Sequence, residues 1–158
     1  MQVEYRDLDA DPLPHLTQRL LAGGDTADAA EGVRAMEQFL AADVVVIGAP
    51  MYNFSIPSTL KAWIDRIAVA GRTFRYTDTG PEGLAGGRKV IIASGRGGLH
   101  TGLPSDFQET YLRQVFGFLG IADIAFVRAE GVAYSPRHRA EALTAALAAI
   151  PEPLPLAA

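Results

Sequence analysis

The stretch DVVVIGAPMYNFSIPSTLKAWIDRI, residues 43–67, decides the fold. Its first part, Asp43 to Gly48, is a continuous apolar run rich in β-branched residues, which is typical of a parallel strand covered on both faces. Its last part follows Pro57, a residue suited to a first helical turn, and repeats apolar side chains with a helical period at Leu60, Ile64 and Ile67. The stretch therefore predicts a buried strand that leads through a short loop into a helix.

The same alternation extends outward from this stretch. Strands are predicted at Lys89 to Ser94 and at Ile124 to Val127, with a weaker one at Gln2 to Arg6. Apolar stripes with a helical period lie between them, and a last helix starts at Ser135. We therefore expect an α/β fold, in which a parallel sheet carries helices on both faces. One domain over residues 1–150 and a frayed tail at residues 151–158 complete the prediction.

Two smaller features concern the connections between these elements. Ser105 to Gln108 fits a capping box for the helix that follows the strand at Lys89. Residues 71–87 form a long connection with five glycines, and a structureless loop of that length is usually functional or flexible.

Composition excludes several classes of function. The chain has 158 residues, of which 49% are apolar, and its 14 Lys and Arg against 18 Asp and Glu give a net charge of −4. Because phosphate binding needs clustered positive charge and no Lys/Arg run occurs, we expect no nucleic-acid partner. The absence of cysteine excludes disulfides, thiolate metal sites and a Cys nucleophile.

Metal and membrane binding are not expected either. The three histidines are far apart and lack the spacing of metal ligands; they are His15, His100 and His138. No apolar stretch approaches the ~20 residues that span a bilayer, and the N-terminal residues lack the features of a signal peptide. The expected location is the cytoplasm.

The candidate site lies in the loops that follow the strands, because ligands of open α/β sheets bind beyond the carboxyl ends of the strands. Three loops qualify: residues 49–55, 94–100 and 130–134. The first joins aromatic and thioether side chains to backbone amides near a helix start, and the second brings glycines next to a histidine. Taken alone, the glycine pattern is more often an ordinary turn than a site, and the aromatic and thioether side chains are more often core or interface residues. The residues by themselves predict a site for a flat ligand and no acid–base catalyst.

The order of several short motifs resembles the FMN-dependent NADH-azoreductase family, which are flavodoxin-like quinone and azo reductases. The motifs are APMYNF at residues 49–54, PSTLKAWID at 57–65, TFRY at 73–76, GPEGL at 80–84 and RGG at 96–98. The similarity runs from about Tyr5 to Tyr134 and so covers nearly the whole chain.

The resemblance implies a flavodoxin-like three-layer fold and a homodimer with FMN at the carboxyl edge of the sheet. The flavin would be reduced by NADH or NADPH and would pass electrons to a quinone or an azo compound. Donors placed beside the ring would stabilise the charge that it gains. The residues implied to contact the flavin are Met51, Tyr52, Asn53, Phe54, Gly95, Arg96, Gly97, Gly98 and His100. Phe74 and Tyr76 are implied to stack on the second substrate.

One departure from the family concerns the start of the chain. Family members begin with a strand, a Ser-rich phosphate-binding turn and a helix, all upstream of the strand that matches Gln2 to Arg6. We therefore expect a flavodoxin-like fold truncated at its N-terminus, in which the central strand and the phosphate loop are absent. Two other functions stay open: a flavin-free binding or assembly module, and a related reductase that releases reduced flavin.

Overall fold

The computed structural model describes residues 2–24 and 26–151 of the chain. Along these residues, helices and strands alternate as the sequence predicts for the central part of the fold. In chain order the elements are α1 (Gln18–Leu21), α2 (Thr26–Ala41), β1 (Val44–Gly48), α3 (Ser58–Ile67), β2 (Phe74–Thr77), β3 (Gly80–Gly83), β4 (Lys89–Gly95), α4 (Phe107–Phe118), β5 (Asp123–Ala129) and α5 (Pro136–Ala148). The predicted domain bounds of residues 1–150 stay a prediction, and the predicted frayed tail lies outside the described residues from position 152 onward.

The main sheet is parallel and has the order β1-β4-β5. Ile47 pairs with Ile92, and Ala93 pairs with Val127, so the carboxyl ends of the three strands meet at one edge. Helices connect the strands along the chain, as crossovers between parallel strands require. The α/β sheet predicted from the apolar runs is confirmed.

The two faces of the sheet are covered unequally. One face packs against α2, α3 and α4, whose buried Phe39, Trp63 and Phe116 form the centre of the larger core. The other face packs against α5, where Ala146 contacts a smaller cluster around Ile91. This arrangement gives helices on both faces, and it leaves the outer part of the second face beside β1 open to solvent.

The predicted strand at Gln2 to Arg6 is wrong, since these residues form no ladder with the sheet. A strand needs a neighbour to satisfy its backbone groups, and within the described residues none lies beside this segment. Side chains attach it to α2 instead. Arg6 donates to Glu31 over 2.5 Å, and Gln38 donates to Glu4 over 3.1 Å.

Two connections also differ from the prediction. Residues 71–87 contain the antiparallel hairpin of β2 and β3, in which Phe74 pairs with Gly83, rather than a structureless loop. The N-cap of α4 is Asp106, not Ser105, because the Asp106 carboxylate accepts the Glu109 amide over 3.0 Å. The side chain of Gln108 is consequently free to turn into the protein.

Across the described residues, no helix combines the length and the apolar character that crossing a bilayer requires. The same residues contain no group of three His, Asp or Glu side chains placed to hold a metal ion.

Candidate functional site

The three loops at the carboxyl edge of the sheet are joined by backbone hydrogen bonds. The Met51 amide donates to the Gly95 carbonyl over 2.9 Å, and the Arg96 amide donates to the Ala129 carbonyl over 2.8 Å. One turn further on, the Gly131 amide donates to Gly98 over 3.0 Å. The three candidate loops therefore form one continuous surface, as predicted from their positions after the strands.

The turn from Tyr52 to Ser55 is held in a strained conformation. Tyr52 and Ser55 exchange two backbone hydrogen bonds of 2.9 and 3.0 Å, and the residues between them, Asn53 and Phe54, have φ angles of +48° and +69°. Two positive φ angles in a two-residue turn are the pattern of type I′ turns, which strongly favour Asn and Gly. Phe54 is a poor residue for this conformation, and such strain is characteristic of functional sites.

The strained turn at residues 52–55 and the turn at residues 95–98, called the glycine turn below, both present backbone donors to the surface. Within residues 2–24 and 26–151, the amides of Asn53 and Phe54 donate to no protein acceptor, and neither do those of Gly97 and Gly98. Backbone N–H groups are strong donors that native structures rarely leave without a partner when they are covered. Four donors at one edge of the sheet are therefore available to a ligand with acceptor atoms.

Aromatic rings connect the two turns. The rings of Phe54 and His100 meet edge to face with centroids 5.8 Å apart, and both side chains are at least partly exposed. A Cβ placed on Gly98 would lie 3.0 Å from Nε2 of His100, so a larger residue there would displace the imidazole ring. His100 is oriented by Ser105, whose hydroxyl lies 3.0 Å from its Nδ1. This His100 ring thus lies between the strained turn and the glycine turn.

Arg96 is a predicted flavin contact whose side chain the structure does not bring to the surface. Its side chain is fully buried, and Nη1 lies 2.7 Å from the Asp106 carboxylate and 3.3 Å from that of Glu130. Its amide and carbonyl are also used, by Ala129 and Val132. Arg96 therefore supports the site from below instead of lining it.

Phe74 and Tyr76 lie away from the other predicted site residues. Phe74 is buried in the larger core, where its ring contacts Phe118 with centroids 4.6 Å apart. Tyr76 is 75% exposed on the hairpin. That hairpin packs at the end of α4, where a Cβ on Gly83 would meet the Gly120 amide, and it leads into the amino end of β4. The hairpin and the turn at Phe54 consequently lie at opposite ends of the sheet.

The carboxylate of Glu130 is a part of the site that sequence reasoning missed. Its Oε1 accepts the amides of His100 over 2.7 Å and of Thr101 over 2.9 Å. Burial alone raises the pKa of this carboxyl, but the two amides, the Thr101 hydroxyl and Arg96 outweigh it and lower the pKa below its ordinary value. Glu130 is therefore an anion that holds the loop carrying His100. Its position directly after β5 is the sequence signal that points to it.

Tyr134 was also missed as a site residue. Its hydroxyl accepts the Leu99 amide over 3.3 Å, and it would lie 3.7 Å from a Cβ on Gly98. The third loop was predicted to border the site, and Tyr134 is the residue by which it does so.

A parallel sheet with helices on both faces is the architecture of a flavodoxin-like α/β protein, and the donor-rich surface at its carboxyl edge is the candidate ligand site. Residues 1–154 match the family described as having the flavodoxin-like fold. The chain therefore belongs to the flavodoxin-like family that includes the FMN-dependent NADH:quinone oxidoreductases and NADH-azoreductases. This membership confirms the resemblance noted from the motifs.

Relatives and solved structures support this placement along most of the chain. The FMN-dependent NADH:quinone oxidoreductase 1 of Xanthomonas axonopodis pv. citri (strain 306) is 70% identical over 152 residues, which cover 96% of this chain and 79% of that protein. The FMN-dependent NADH:quinone oxidoreductase of Stenotrophomonas maltophilia (strain K279a) is 66% identical over 151 residues, covering 96% and 77%. An FMN-dependent NADH-azoreductase from Bacillus anthracis str. Ames Ancestor, solved in complex with FMN, superimposes with a TM-score of 0.78 at 31% identity, covering 91% of this chain and 77% of that one.

Proposed function

We propose that the chain is an FMN-dependent NADH oxidoreductase that reduces quinones and azo compounds. The observation that carries the proposal is the strained turn from Tyr52 to Ser55, whose two central amides lie beside the His100 ring and have no acceptor in the part of the chain that the structure describes. The names of the relatives agree, and they favour this activity over a flavin-free binding module.

The donor set fits the ring of FMN. An isoalloxazine is a flat tricycle whose edges carry nitrogen and carbonyl oxygen acceptors, and the site offers amides from two turns together with exposed aromatic rings. Phe54 and Tyr52 supply the exposed rings, and Met51 supplies a thioether next to them. When bound, FMN supplies a ring that takes a hydride from NADH and passes electrons to the acceptor.

The chain's own residues bind and orient this ring. The amides of Asn53, Phe54, Gly97 and Gly98 would donate to acceptor atoms of the ring. Because these amides are fixed before the ligand arrives, they stabilise negative charge on the ring without reorganising. His100 adds a polar ring between the two turns. We assign no acid–base catalyst, since protons reach this exposed edge from solvent.

We further propose that the active form is a homodimer in the cytoplasm, where NADH is available. Tyr76 supports the homodimer, because its exposed ring lies at the end of the sheet opposite the Phe54 turn. For Tyr76 to stack on the second substrate, as the family resemblance implies, it has to come from a second copy. Sedimentation of the purified chain checks the dimer directly.

The experiment that tests the reductase is a titration with FMN followed by anaerobic addition of NADH. We expect saturable binding of FMN, loss of flavin absorbance with NADH, and recovery of that absorbance when a quinone is added. A chain that takes up no FMN would contradict the proposal.

The substitution Gly95→Leu is designed to obstruct the candidate site, and it has a matched control. The space around a Cβ on Gly95 is open, so a larger side chain can extend from this position into the carboxyl edge of the sheet. Gly117→Leu is the control, because Gly117 also has open space around it but lies on α4 near its end. We expect the first variant to lose FMN binding and the second to keep it, with both folded by circular dichroism.

A further inference from the structure

The strongest unexplained feature is a buried ion cluster beneath the glycine turn. Arg96 is fully buried and faces three carboxylates: Asp106 at 2.7 Å, Glu130 at 3.3 Å and Glu109 at 3.7 Å. Removing charges from water is costly, and a buried ion pair often adds no net stability over an apolar replacement. A cluster of this size under the candidate site therefore calls for a role besides folding.

On one side, the cluster reaches the loop that carries the glycine donors. Glu130 Oε1, which bonds Arg96, also accepts the amides of His100 over 2.7 Å and Thr101 over 2.9 Å. The carbonyls of the preceding residues Gly97 and Gly98 accept hydrogen bonds from the loop after Glu130, and their amides face outward. The direction of these amides thus depends on where Glu130 holds the loop.

On the other side, the cluster reaches the chain just before the strained turn. Arg96 Nε donates to Ser94 over 3.0 Å, and Ser94 donates to Gln108 over 2.8 Å. Gln108 in turn donates to the Ala49 carbonyl over 2.9 Å, two residues before Met51. One buried chain of hydrogen bonds therefore links both donor turns.

We propose that Glu130 is a positioning residue for the flavin: it fixes the loop that carries the Gly97 and Gly98 amides and the His100 ring, which would contact the flavin, and Arg96 holds Glu130 in place. This inference rests on the proposed function, because it assigns the loop's ligand as FMN. Glu130 touches no reacting atom and acts through the loop.

Glu109 provides a matched control within the same cluster. The two side chains are similarly covered, with 14% of Glu109 and 18% of Glu130 exposed. Glu109 receives hydrogen bonds from Arg113 and Arg128 and also lies near Arg96. Its side chain bonds no amide of the loop at residues 97–101, so its removal perturbs the cluster without releasing the loop.

The test compares Glu130→Ala, Glu130→Gln and Glu109→Ala in the full 158-residue chain. FMN affinity is measured by fluorescence titration, and amide exchange of His100 and Thr101 is measured by NMR in the protein without FMN. We expect Glu130→Ala to weaken FMN binding by about ten-fold or more, since amides held by a carboxylate are strong contacts. Glu130→Gln keeps an acceptor oxygen and loses less. Exchange of the two amides accelerates in both variants.

Glu109→Ala is expected to bind FMN within about two-fold of wild type, even where it unfolds at a lower urea concentration. Equal loss of affinity in Glu109→Ala and Glu130→Ala would overturn the inference, because general destabilisation would then explain both. Wild-type affinity in Glu130→Ala would overturn it as well. A wild-type chain that binds no FMN would overturn the proposed function and the flavin role of Glu130 together, and the wild-type titration identifies that case.

Discussion

A short turn lies at each end of the sheet, and the two turns differ in their backbone φ angles and in the hydrogen bonds of their amides. At the amino end, the turn of the β2–β3 hairpin has no positive φ angle at Asp78 or Thr79, and the Thr77 hydroxyl accepts the Thr79 amide over 3.3 Å. At the carboxyl end, the turn at Asn53 and Phe54 is strained and leaves its amides without acceptors within the described residues. The two turns therefore differ in backbone strain and in the amide of their second central residue, which Thr77 accepts at the amino end and which has no acceptor among the described residues at the carboxyl end.

The largest expected difference between the ends concerns two phenylalanines. Phe74 is buried in the core, whereas Phe54 is exposed at the site. We expect Phe74→Ala to lower the free energy of unfolding by about 3 kcal/mol or more, because it leaves a cavity. Phe54→Ala should change the free energy of unfolding by less than about 1 kcal/mol and weaken FMN binding instead. Urea unfolding and FMN titration separate the two effects.

A reversed result would break the comparison. If Phe54→Ala unfolded the protein as readily as Phe74→Ala, the strained turn would be a structural element and not a ligand site.

The next largest difference between the two ends concerns the effect on stability of replacing a glycine by alanine. A Cβ on Gly83 would lie 2.1 Å from the Gly120 amide nitrogen, whereas a Cβ on Gly48 at the end of β1 meets nothing within 4 Å. Overpacking against backbone that cannot move away costs about 1–3 kcal/mol, so Gly83→Ala should lower the free energy of unfolding by that amount. Gly48→Ala should leave it unchanged or slightly raised, since alanine restricts the unfolded chain. Thermal and urea unfolding of the two variants measure this difference, and equal losses would contradict it.

The parallel sheet was predictable from the sequence because its strands are buried on at least one face. The runs at Val44–Gly48 and Lys89–Gly95 are rich in apolar residues, so the local sequence indicates these strands without knowledge of their neighbours. The hairpin of β2 and β3 was missed because its residues are largely exposed and include glycine and proline, so no apolar alternation marks it. The strand predicted at Gln2 to Arg6 failed because strand formation depends on a neighbour, which local sequence does not supply.

The three loops after the strands meet at one edge of the sheet, as their positions in the sequence predict. The flavin contacts proposed there stay a prediction, and one of them, Arg96, has a buried side chain. The alternation of side chains along a strand predicts a buried Arg96 side chain, because Ile92, Ser94 and Arg96 share one face of β4 and its extension, and Ile92 is buried. Glu130 was missed because its role depends on Arg96, which is 34 positions away along the chain.

The smallest expected difference between the ends concerns their ion pairs. At the carboxyl end, burial raises the pKa of Glu109, but hydrogen bonds from Arg128 and Arg113 outweigh it and lower the pKa below 4.5. At the amino end, Arg75 and Glu82 pair over 2.7 Å on the exposed hairpin. A carboxyl with a lowered pKa stabilises the fold above its ordinary pKa, and that stabilisation is lost as the pH falls through the value in the folded protein.

Urea unfolding near neutral pH and again about one unit below 4.5 therefore tests the pair at Glu109. Wild type should lose stability on acidification, and Glu109→Gln should reduce that loss, because its amide does not titrate. The pair of Arg75 and Glu82 is exposed, so Glu82→Gln should change the free energy of unfolding at neutral pH by less than about 1 kcal/mol. If Glu109→Gln lost stability on acidification as strongly as wild type, the pair at Glu109 would add no electrostatic stabilisation of its own, and the ion pairs at the two ends of the sheet would not differ.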